Sequence, residues 1–326
     1  MDYLPLTEDQ LRQLIDAESA FTALEQTRRS AGEVRGSMFW RTDKGKSYLV
    51  RANTAAKQQR RGARSADTES IYQRFTERKA AIESRTASLE ASLERHRRMN
   101  LALRVGRCPV ILVKLLQRLE QMELSEHFLT VGTHSLYAYE AAAGVRITPE
   151  ALATQDVDVL FDTRKRVTFF TRMEASGMSF IDVLRKADKS FEIDPLQRHT
   201  AVNQDGFEVD IIRRMAKDGD PHPLRMSSHE VDLWAVQVGS GEQMLGTARF
   251  SQIVVATDGS MARMTTISPK TFVTIKRKLS LSSSRDPRKR GKDALQALIV
   301  KRLIGDKLLA LQGKPPKPDT SASAKP

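Results

Sequence analysis

Three aspartates at strand-like positions are the residues of this sequence most suited to chemistry. Asp156 and Asp158 lie in the segment DVDVLF, and Asp210 lies in the segment FEVDII. Alternate side chains of a β-strand leave the same face, so Asp156 and Asp158 should point the same way. If the two strands are neighbours, three carboxylates meet, and such a cluster is tolerable where divalent cations neutralise it. The spacing therefore predicts a magnesium site.

Two other acids compete with these for a role. Glu208 shares a strand face with Asp210 and is the rival third ligand, although we favour Asp210. Asp162 follows the DVDVLF strand and is better suited to cap a helix than to bind a metal. An Asp-x-Asp pair alone is common on exposed strands. The pair indicates a metal site only in combination with the elements around it.

Those elements occur in a definite order. HFLTV is a short apolar segment that predicts a buried strand, and the turn GTHS follows it at once. Residues 135–143 predict a helix that Gly144 ends. The strand DVDVLF comes next, after a linker at 145–155, and HTAVNQDGFEVDII predicts a hairpin that turns at Asp205-Gly206.

The rest of the chain predicts an α+β protein with a mixed sheet and flanking helices. Patterning divides it into a hairpin and long helices (1–100), a core (101–226), a C-terminal hairpin and helical region (227–313) and a disordered tail (314–326). The further predicted elements are a hairpin at 38–51, a mobile basic loop at 53–67, a long exposed helix or half of a helical hairpin at 68–100, a helix after Pro109, a hairpin at 252–267, a helix at 269–279, a basic loop at 282–292 and a helix at 293–311.

Composition narrows the class of protein. The chain has 326 residues and a net charge of +13, which favours partners such as nucleotides or nucleic acid, although a solvated arginine-rich surface explains it equally well. Cys108 is the single cysteine, so an intrachain disulfide and a cysteine zinc site are excluded. The sequence has no transmembrane run and no signal-peptide pattern at its start, so we expect a cytoplasmic protein without a membrane partner.

The pattern VGTHS … DVDVLF … VDII resembles the nucleotidyltransferase fold of the DNA polymerase β superfamily over about residues 127–213. The segments LTVGTHSLYAYEAAAGV and SMFWRTDKGKSYLVR are more narrowly similar to a bacterial family of nucleotidyltransferase-like proteins of largely unknown role. Two departures are Thr133, where members commonly have Gly or Ser, and an apparent insertion at 146–155.

The resemblance implies a reaction and roles for residues. The carboxylates Asp156, Asp158 and Asp210 would be catalytic and would hold two Mg²⁺ ions, for which Mn²⁺ can substitute. A nucleoside triphosphate such as ATP would bind at the GTHS turn and on the predicted helix at 269–279. The implied nucleotide-binding residues are Gly132, Thr133, His134, Ser135 and Lys276. The acceptor hydroxyl would attack the α-phosphate in line, and pyrophosphate would leave.

Several of these roles have plain structural alternatives. His134 can cap or pack rather than touch phosphate, and the basic stretch from Lys276 to Lys292 can be a phosphate clamp or a solvated loop. Trp40 and Tyr48 can stack on bases, but hydrophobic packing is favoured.

The sequence does not specify which molecule accepts the nucleotidyl group. RNA, perhaps tRNA, suits a basic chain, while a protein side chain or a small molecule is an alternative, and toxins of toxin–antitoxin pairs also use this fold. The competing function is a catalytically silent nucleic-acid-binding module that kept the fold. No Walker loop and no Gly-x-Ser-x-Gly motif supports another kind of enzyme.

Overall fold

The computed structural model describes residues 2–54, 57–217 and 219–309. The described chain divides into two compact units, one of residues 9–103 and one of residues 2–8 with 104–309. The domain boundaries at 100, 226 and 313 stay predictions. The predicted tail lies outside the described residues.

The described chain contains runs of strands as well as single strands between helices. The strands are β1 (Tyr3–Pro5), β2 (Ser37–Asp43), β3 (Lys46–Thr54), β4 (Lys57–Ala63), β5 (Phe128–Val131), β6 (Val145–Ile147), β7 (Asp156–Phe161), β8 (Glu192–Ile193), β9 (Thr200–Val202), β10 (Glu208–Arg214), β11 (Leu224–Arg225), β12 (Trp234–Val238), β13 (Arg249–Val255) and β14 (Met261–Ile267). The α-helices are α1 (Glu8–Ala31), α2 (Ala66–Ala102), α3 (Val110–Gln121), α4 (Ser135–Ala143), α5 (Pro149–Leu152), α6 (Arg166–Ser176), α7 (Phe180–Arg185), α8 (Gly241–Leu245), α9 (Pro269–Ser280) and α10 (Pro287–Gly305).

The unit of residues 9–103 combines two long helices with a three-stranded antiparallel sheet in the order β2-β3-β4. The predicted hairpin is confirmed: β2 and β3 pair from Ser37↔Ala52 to Asp43↔Lys46. The prediction of a mobile loop at 53–67 is wrong where β4 pairs with β3 and where α2 begins. A polar segment can form an edge strand because pairing needs only its backbone. Residues 55–56 of that loop lie outside the described residues.

Helix α1 was not predicted from the sequence. Its buried side chains, which include Leu14, Ala17 and Leu24, are few for a helix of 24 residues. Helix α2 confirms the predicted long helix, and Ser65 and Thr68 form a reciprocal capping box at its start.

A mixed sheet of seven strands forms the centre of the other unit, with the main order β11-β12-β10-β7-β5. β7 and β10 are parallel, whereas β5 and β9 run antiparallel to their neighbours β7 and β10. Alternate residues of β7, Val157 and Val159, are buried in the core. The mixed α+β fold class predicted from the sequence is confirmed.

Two helices and a hairpin complete this unit. β13 and β14 form the predicted hairpin, and α9 begins at Pro269 as predicted. The predicted basic loop at 282–292 is partly wrong, because α10 begins at Pro287 rather than at Asp293 and ends at Gly305 rather than at residue 311. Asp286 accepts a hydrogen bond from the Arg288 amide at 2.8 Å and caps the helix, and Pro287 suits its first position. The predicted linker at 145–155 contains β6 and α5.

Within the described part of the chain, no helix is both long and apolar enough to cross a membrane.

Candidate active site

The three aspartates lie on two neighbouring parallel strands. Asp210 on β10 is the Cα partner of Asp158 on β7, and Glu208 is the partner of Asp156. Partners across a ladder point to the same face, so the acids project from one side of the sheet while Val157 and Val209 are buried on the other. The sheet thus brings together the carboxylates that the sequence singled out.

Asp158 is the central acid of this group. Burial, followed by the negative charges of Asp156 and Asp210, raises the pKa of the Asp158 carboxyl to about 6. Lys276 and Arg285 act in the opposite direction. Glu208 is exposed, whereas Asp210 is half-buried and is one of the two carboxylates that raise the pKa of Asp158, which favours Asp210 as the third member.

Threonines hold the two flanking acids. The Thr154 hydroxyl donates to Asp156 Oδ1, and the Thr200 hydroxyl donates to Asp210 Oδ1. Within the described residues, none of the three acids lies within ion-pair distance of a lysine or arginine nitrogen. Their charge is therefore opposed at longer range only.

The Gly-Thr turn lies against the central acid. Gly132 has a φ of +68°, and a Cβ at this position would lie 2.3 Å from Asp158 Oδ2. A residue with a side chain would not easily adopt this backbone conformation, and its Cβ would not fit beside the carboxylate. Residues Gly132–His134 form a short 3₁₀ turn that continues directly into α4. Since the first amides of a helix lack intrahelical partners, the turn is suited to anions.

The side chains of His134 and Ser135 lie inside the protein. His134 packs 5.8 Å from Tyr137 and 5.9 Å from Phe207, measured between ring centroids. Burial lowers the pKa of His134 to about 4, against the opposing effect of Asp156, so its imidazole is neutral at pH 7. Ser135 Oγ accepts from Thr266 Oγ1 at 2.8 Å and is fully buried. Packing, the alternative for His134, therefore accounts for its side chain.

Cationic side chains from α9, from α10 and from the segment between them are close enough to the acids to affect their ionisation. Lys276 Nζ lies 2.7 Å from Asp293 Oδ1, and Arg285 Nε lies 3.0 Å from Asp293 Oδ2. Both Lys276 and Asp293 are buried. One buried carboxylate therefore holds two cations that act on Asp158.

Lys292 is a third cation near the acids. Its Nζ donates to the Ala153 carbonyl at 2.6 Å. Burial, together with the like charge of Lys276, lowers the pKa of Lys292, whereas Asp156 raises it. Four residues further along α10, Gln296 Nε2 donates to Thr133 Oγ1 at 3.1 Å and to the Ala151 carbonyl at 2.7 Å. Helix α10 thus contacts the Gly-Thr turn directly.

The donor chemistry of the acids suits a divalent cation. Carboxylate oxygens are the ligands that Mg²⁺ prefers, and burial together with two neighbouring carboxylates raises the pKa of Asp158, which a bound cation would oppose. Even so, among the described residues no group of three His, Cys, Asp or Glu side chains has the spacing of a ready-made metal cage. The acids therefore fit Mg²⁺ as a partial ligand set, to which waters and substrate phosphates would add.

The sequence did not indicate several residues of this site. The predicted helix at 293–311 contains Asp293 and Gln296, but its pattern assigns them no role, and nothing in the sequence singles out Thr154 or Thr200. Asp293, Gln296 and Thr200 act through partners on other elements. Thr154 acts on Asp156, two residues away. The one available signal was the spacing of Lys292 and Gln296, which places both on one face of a helix.

Comparison with known proteins agrees with this geometry. A nucleotidyltransferase family profile matches residues 111–314, which is well over half of the chain. No curated protein and no solved structure matches. The matched region contains the Gly-Thr turn, the three aspartates and the cations of α9 and α10, and the chain belongs to this nucleotidyltransferase family.

Proposed function

We propose that this protein transfers a nucleotidyl group from a nucleoside triphosphate to an acceptor hydroxyl and releases pyrophosphate. The observation that carries the proposal is the pairing of Asp158 with Asp210 beside the Gly132 turn, with Lys276 and Arg285 acting on the same carboxylate. The carboxylates form an acidic half of the site, which can hold cations. The turn and the cationic cluster form the other half, which can hold phosphates.

The chain's cations would receive the triphosphate. Lys276, Arg285 and Lys292 provide positive charge next to the turn, and a phosphate chain placed there would compensate it. The backbone amides of the Gly132–His134 turn would contact phosphate oxygens. Catalysis would then depend on position and on charge neutralisation, because phosphoryl chemistry needs little covalent help from a protein.

Asp156, Asp158 and Asp210 are the residues that would hold Mg²⁺, with Mn²⁺ as a substitute. When bound, these ions supply charge neutralisation for the phosphates and for the leaving group. Without a cation the three acids repel one another, as the raised pKa of Asp158 indicates.

In the proposed reaction, the acceptor oxygen forms a bond to the α-phosphorus while the bond from that phosphorus to the bridging oxygen breaks. Pyrophosphate leaves with the electron pair. Asp210 would accept the hydroxyl proton, because Thr200 occupies Oδ1 and leaves Oδ2 for the acceptor. We propose RNA as the acceptor, supported by the net charge of +13.

The test is Mg²⁺-dependent transfer of label from each α-labelled triphosphate to total RNA, to protein or to the enzyme itself. Asp158→Asn and Asp210→Asn should each lower the transfer at least 100-fold. Glu208→Gln is the matched control, since it changes an exposed acid of the same strand, and we expect it to retain activity within about threefold.

A different result would favour the competing function. If the wild type and both aspartate variants bind RNA equally and none transfers label, the chain is a silent nucleic-acid-binding module. If Glu208→Gln abolishes transfer while Asp210→Asn does not, the assignment of the third acid is wrong.

A further inference from the structure

The sheet β2-β3-β4 carries a high density of positive charge. Residues 35–64 contain nine lysines and arginines and a single acid, Asp43. The arginines at 35, 41, 60, 61 and 64 and the lysines at 44 and 46 are all exposed. Nothing in the proposed transfer reaction uses this surface, which belongs to the unit of residues 9–103.

One face of this sheet packs on α2. Trp40 lies 5.9 Å from Tyr72 between ring centroids, and the Arg51 guanidinium lies 4.9 Å from the Phe75 ring centroid. Leu49, the partner of Trp40 in the ladder, is fully buried. The packing favoured for Trp40 therefore accounts for its ring.

The opposite face carries aromatic rings with arginines layered on them. We define this aromatic–arginine face by Phe39, Arg41, Tyr48 and Arg60. The ladder places Arg41 opposite Tyr48, and it places Val50 opposite both Phe39 and Arg60, so the four side chains project to the same side. Arg41 and Arg60 are exposed, and the two rings are half-buried.

The arginines of this face lie over its aromatic rings. The Arg60 guanidinium carbon lies 3.1 Å from the centroid of the Tyr48 ring, and the Arg41 guanidinium carbon lies 5.6 Å from that of Phe39. Arg41 also donates to Gln58 Oε1 at 2.6 Å, and Arg60 lies 3.7 Å from Asp43 Oδ2. A guanidinium layered on a ring has fewer conformations to lose on binding, and it presents a plane and N–H donors together.

We propose that the aromatic–arginine face binds single-stranded nucleic acid. Unpaired bases stack on aromatic rings and on guanidinium planes, while the N–H groups of the same guanidiniums and the surrounding cations contact the phosphates. Charge alone would equally suit an acidic protein, but layered rings and guanidinium planes specifically match the flat faces of bases. The proposal is independent of the proposed transfer reaction, because binding at this face needs neither a triphosphate nor the carboxylates.

The test measures binding of fluorescein-labelled 12-nucleotide strands to the full-length protein by anisotropy, with RNA and DNA of the same sequence and with no triphosphate. Arg41→Ser with Arg60→Ser should weaken binding at least 10-fold and should reduce the slope of log K against log salt by about 1.4, which is about 0.7 for each lost phosphate contact. Arg85→Ser with Arg95→Ser is the control. It removes the same charge from exposed positions of α2 and should weaken binding less than threefold.

Arg60→Lys separates stacking from charge. Lysine keeps the positive charge but has no plane to stack, so we expect a loss of about 5-fold or more with little change in the salt slope. Phe39→Leu, confirmed as folded by circular dichroism, should also weaken binding about 5-fold. It removes a stacking ring and no charge.

Three outcomes would overturn the proposal. One is equal affinity of the wild type and the Arg41/Arg60 variant for both strands, and another is Arg60→Lys binding as well as the wild type. The third is competition by poly-glutamate at the same concentration of charge as the oligonucleotide, which would indicate an acidic protein partner. Preference for RNA or for DNA identifies the natural strand, and either preference supports the proposal. Loss of label transfer in the aspartate variants leaves this measurement unaffected, so the two proposals can fail separately.

Discussion

Asp158 has an electrostatic environment that opposes its own charge. Burial and two neighbouring carboxylates raise its pKa to about 6, while an aspartate in an unfolded chain titrates near 4. As the pH rises, the unfolded chain therefore loses this proton first. The contribution of Asp158 to the free energy of unfolding therefore falls between about pH 4 and pH 6 and stays low at higher pH.

Asp158→Asn should stabilise the metal-free protein. Asparagine removes the charge, so we expect the free energy of unfolding in EDTA to rise by about 1–2 kcal/mol at pH 8, with no gain at pH 4. Urea denaturation at both pH values measures this. A variant that is less stable than the wild type at pH 8 would contradict the interpretation of Asp158 as an uncompensated charge.

Gly132 should tolerate no side chain. In Gly132→Ala, the Cβ would lie 2.3 Å from Asp158 Oδ2, so the turn or the carboxylate must move. We expect label transfer to fall at least 100-fold and stability to fall by about 1 kcal/mol or more.

Gly177→Ala is the matched control for this change. Gly177 has a φ of +65°, close to that of Gly132, and a Cβ there would have no atom within 4 Å. It should therefore show the backbone cost of about 1 kcal/mol and keep its activity. Equal loss of activity in both variants would mean that backbone strain, rather than contact with Asp158, is responsible.

At the scale of elements, α10 positions much of the cationic half of the site. Lys292 and Gln296 are carried on one helix face, and Asp293 joins α10 to Lys276 of α9. The helix therefore sets the position of the cations relative to the Gly-Thr turn.

Asp293→Asn tests this role. Lys276 would lose its buried partner and Arg285 its anchor, so we expect the KM for triphosphate to rise about 10-fold with a smaller change in kcat, and stability to fall by about 2–3 kcal/mol. Asp286→Asn makes the same chemical change at the cap of the same helix, where asparagine caps equally well, and should alter neither property. A fall in kcat alone would contradict a role in positioning the cations.

The elements that were predicted well from the sequence are those whose pattern lies within a short stretch of the chain. β7, β10 and α4 have an apolar pattern bounded by turns, and they placed Asp156, Asp158, Asp210 and the turn correctly on their elements. The start of α10 was missed because its first turn is charged and has no apolar stripe. That error left Lys292 outside the helix that carries Asp293, although both belong to one cluster with Arg285. Hydrogen bonds from residues far apart in sequence, such as Gln296 to Thr133, have no local pattern.

At the scale of the whole molecule, the first residues of the chain fold with its later half. β1 pairs with β6 from Tyr3↔Ile147 to Pro5↔Val145, the Leu6 amide donates to the Gly144 carbonyl at 2.9 Å, and Arg302 pairs with Asp2. In chain order, the unit of residues 9–103 therefore lies within the unit that contains the candidate active site.

Removing residues 1–7 should destabilise the protein by about 3 kcal/mol, because several backbone hydrogen bonds and an ion pair are lost. Thermal denaturation measures the change. Asp2→Asn with Tyr3→Phe removes side-chain contacts and keeps the backbone pairing, so it should cost less than about 1 kcal/mol. If the double substitution costs as much as the truncation, the strand pairing contributes little.

The pairing of β1 with β6 also bears on how the protein is made. Synthesis proceeds from the N-terminus, and the partner of β1 emerges from the ribosome about 140 residues later, roughly 7 to 30 s at usual translation rates. Throughout that interval the nascent strand has no partner, and the unit of residues 9–103 has its complete sequence about 40 residues before that partner appears. The unit that contains the candidate active site can therefore complete its strand pairing only after the other unit has been fully synthesised.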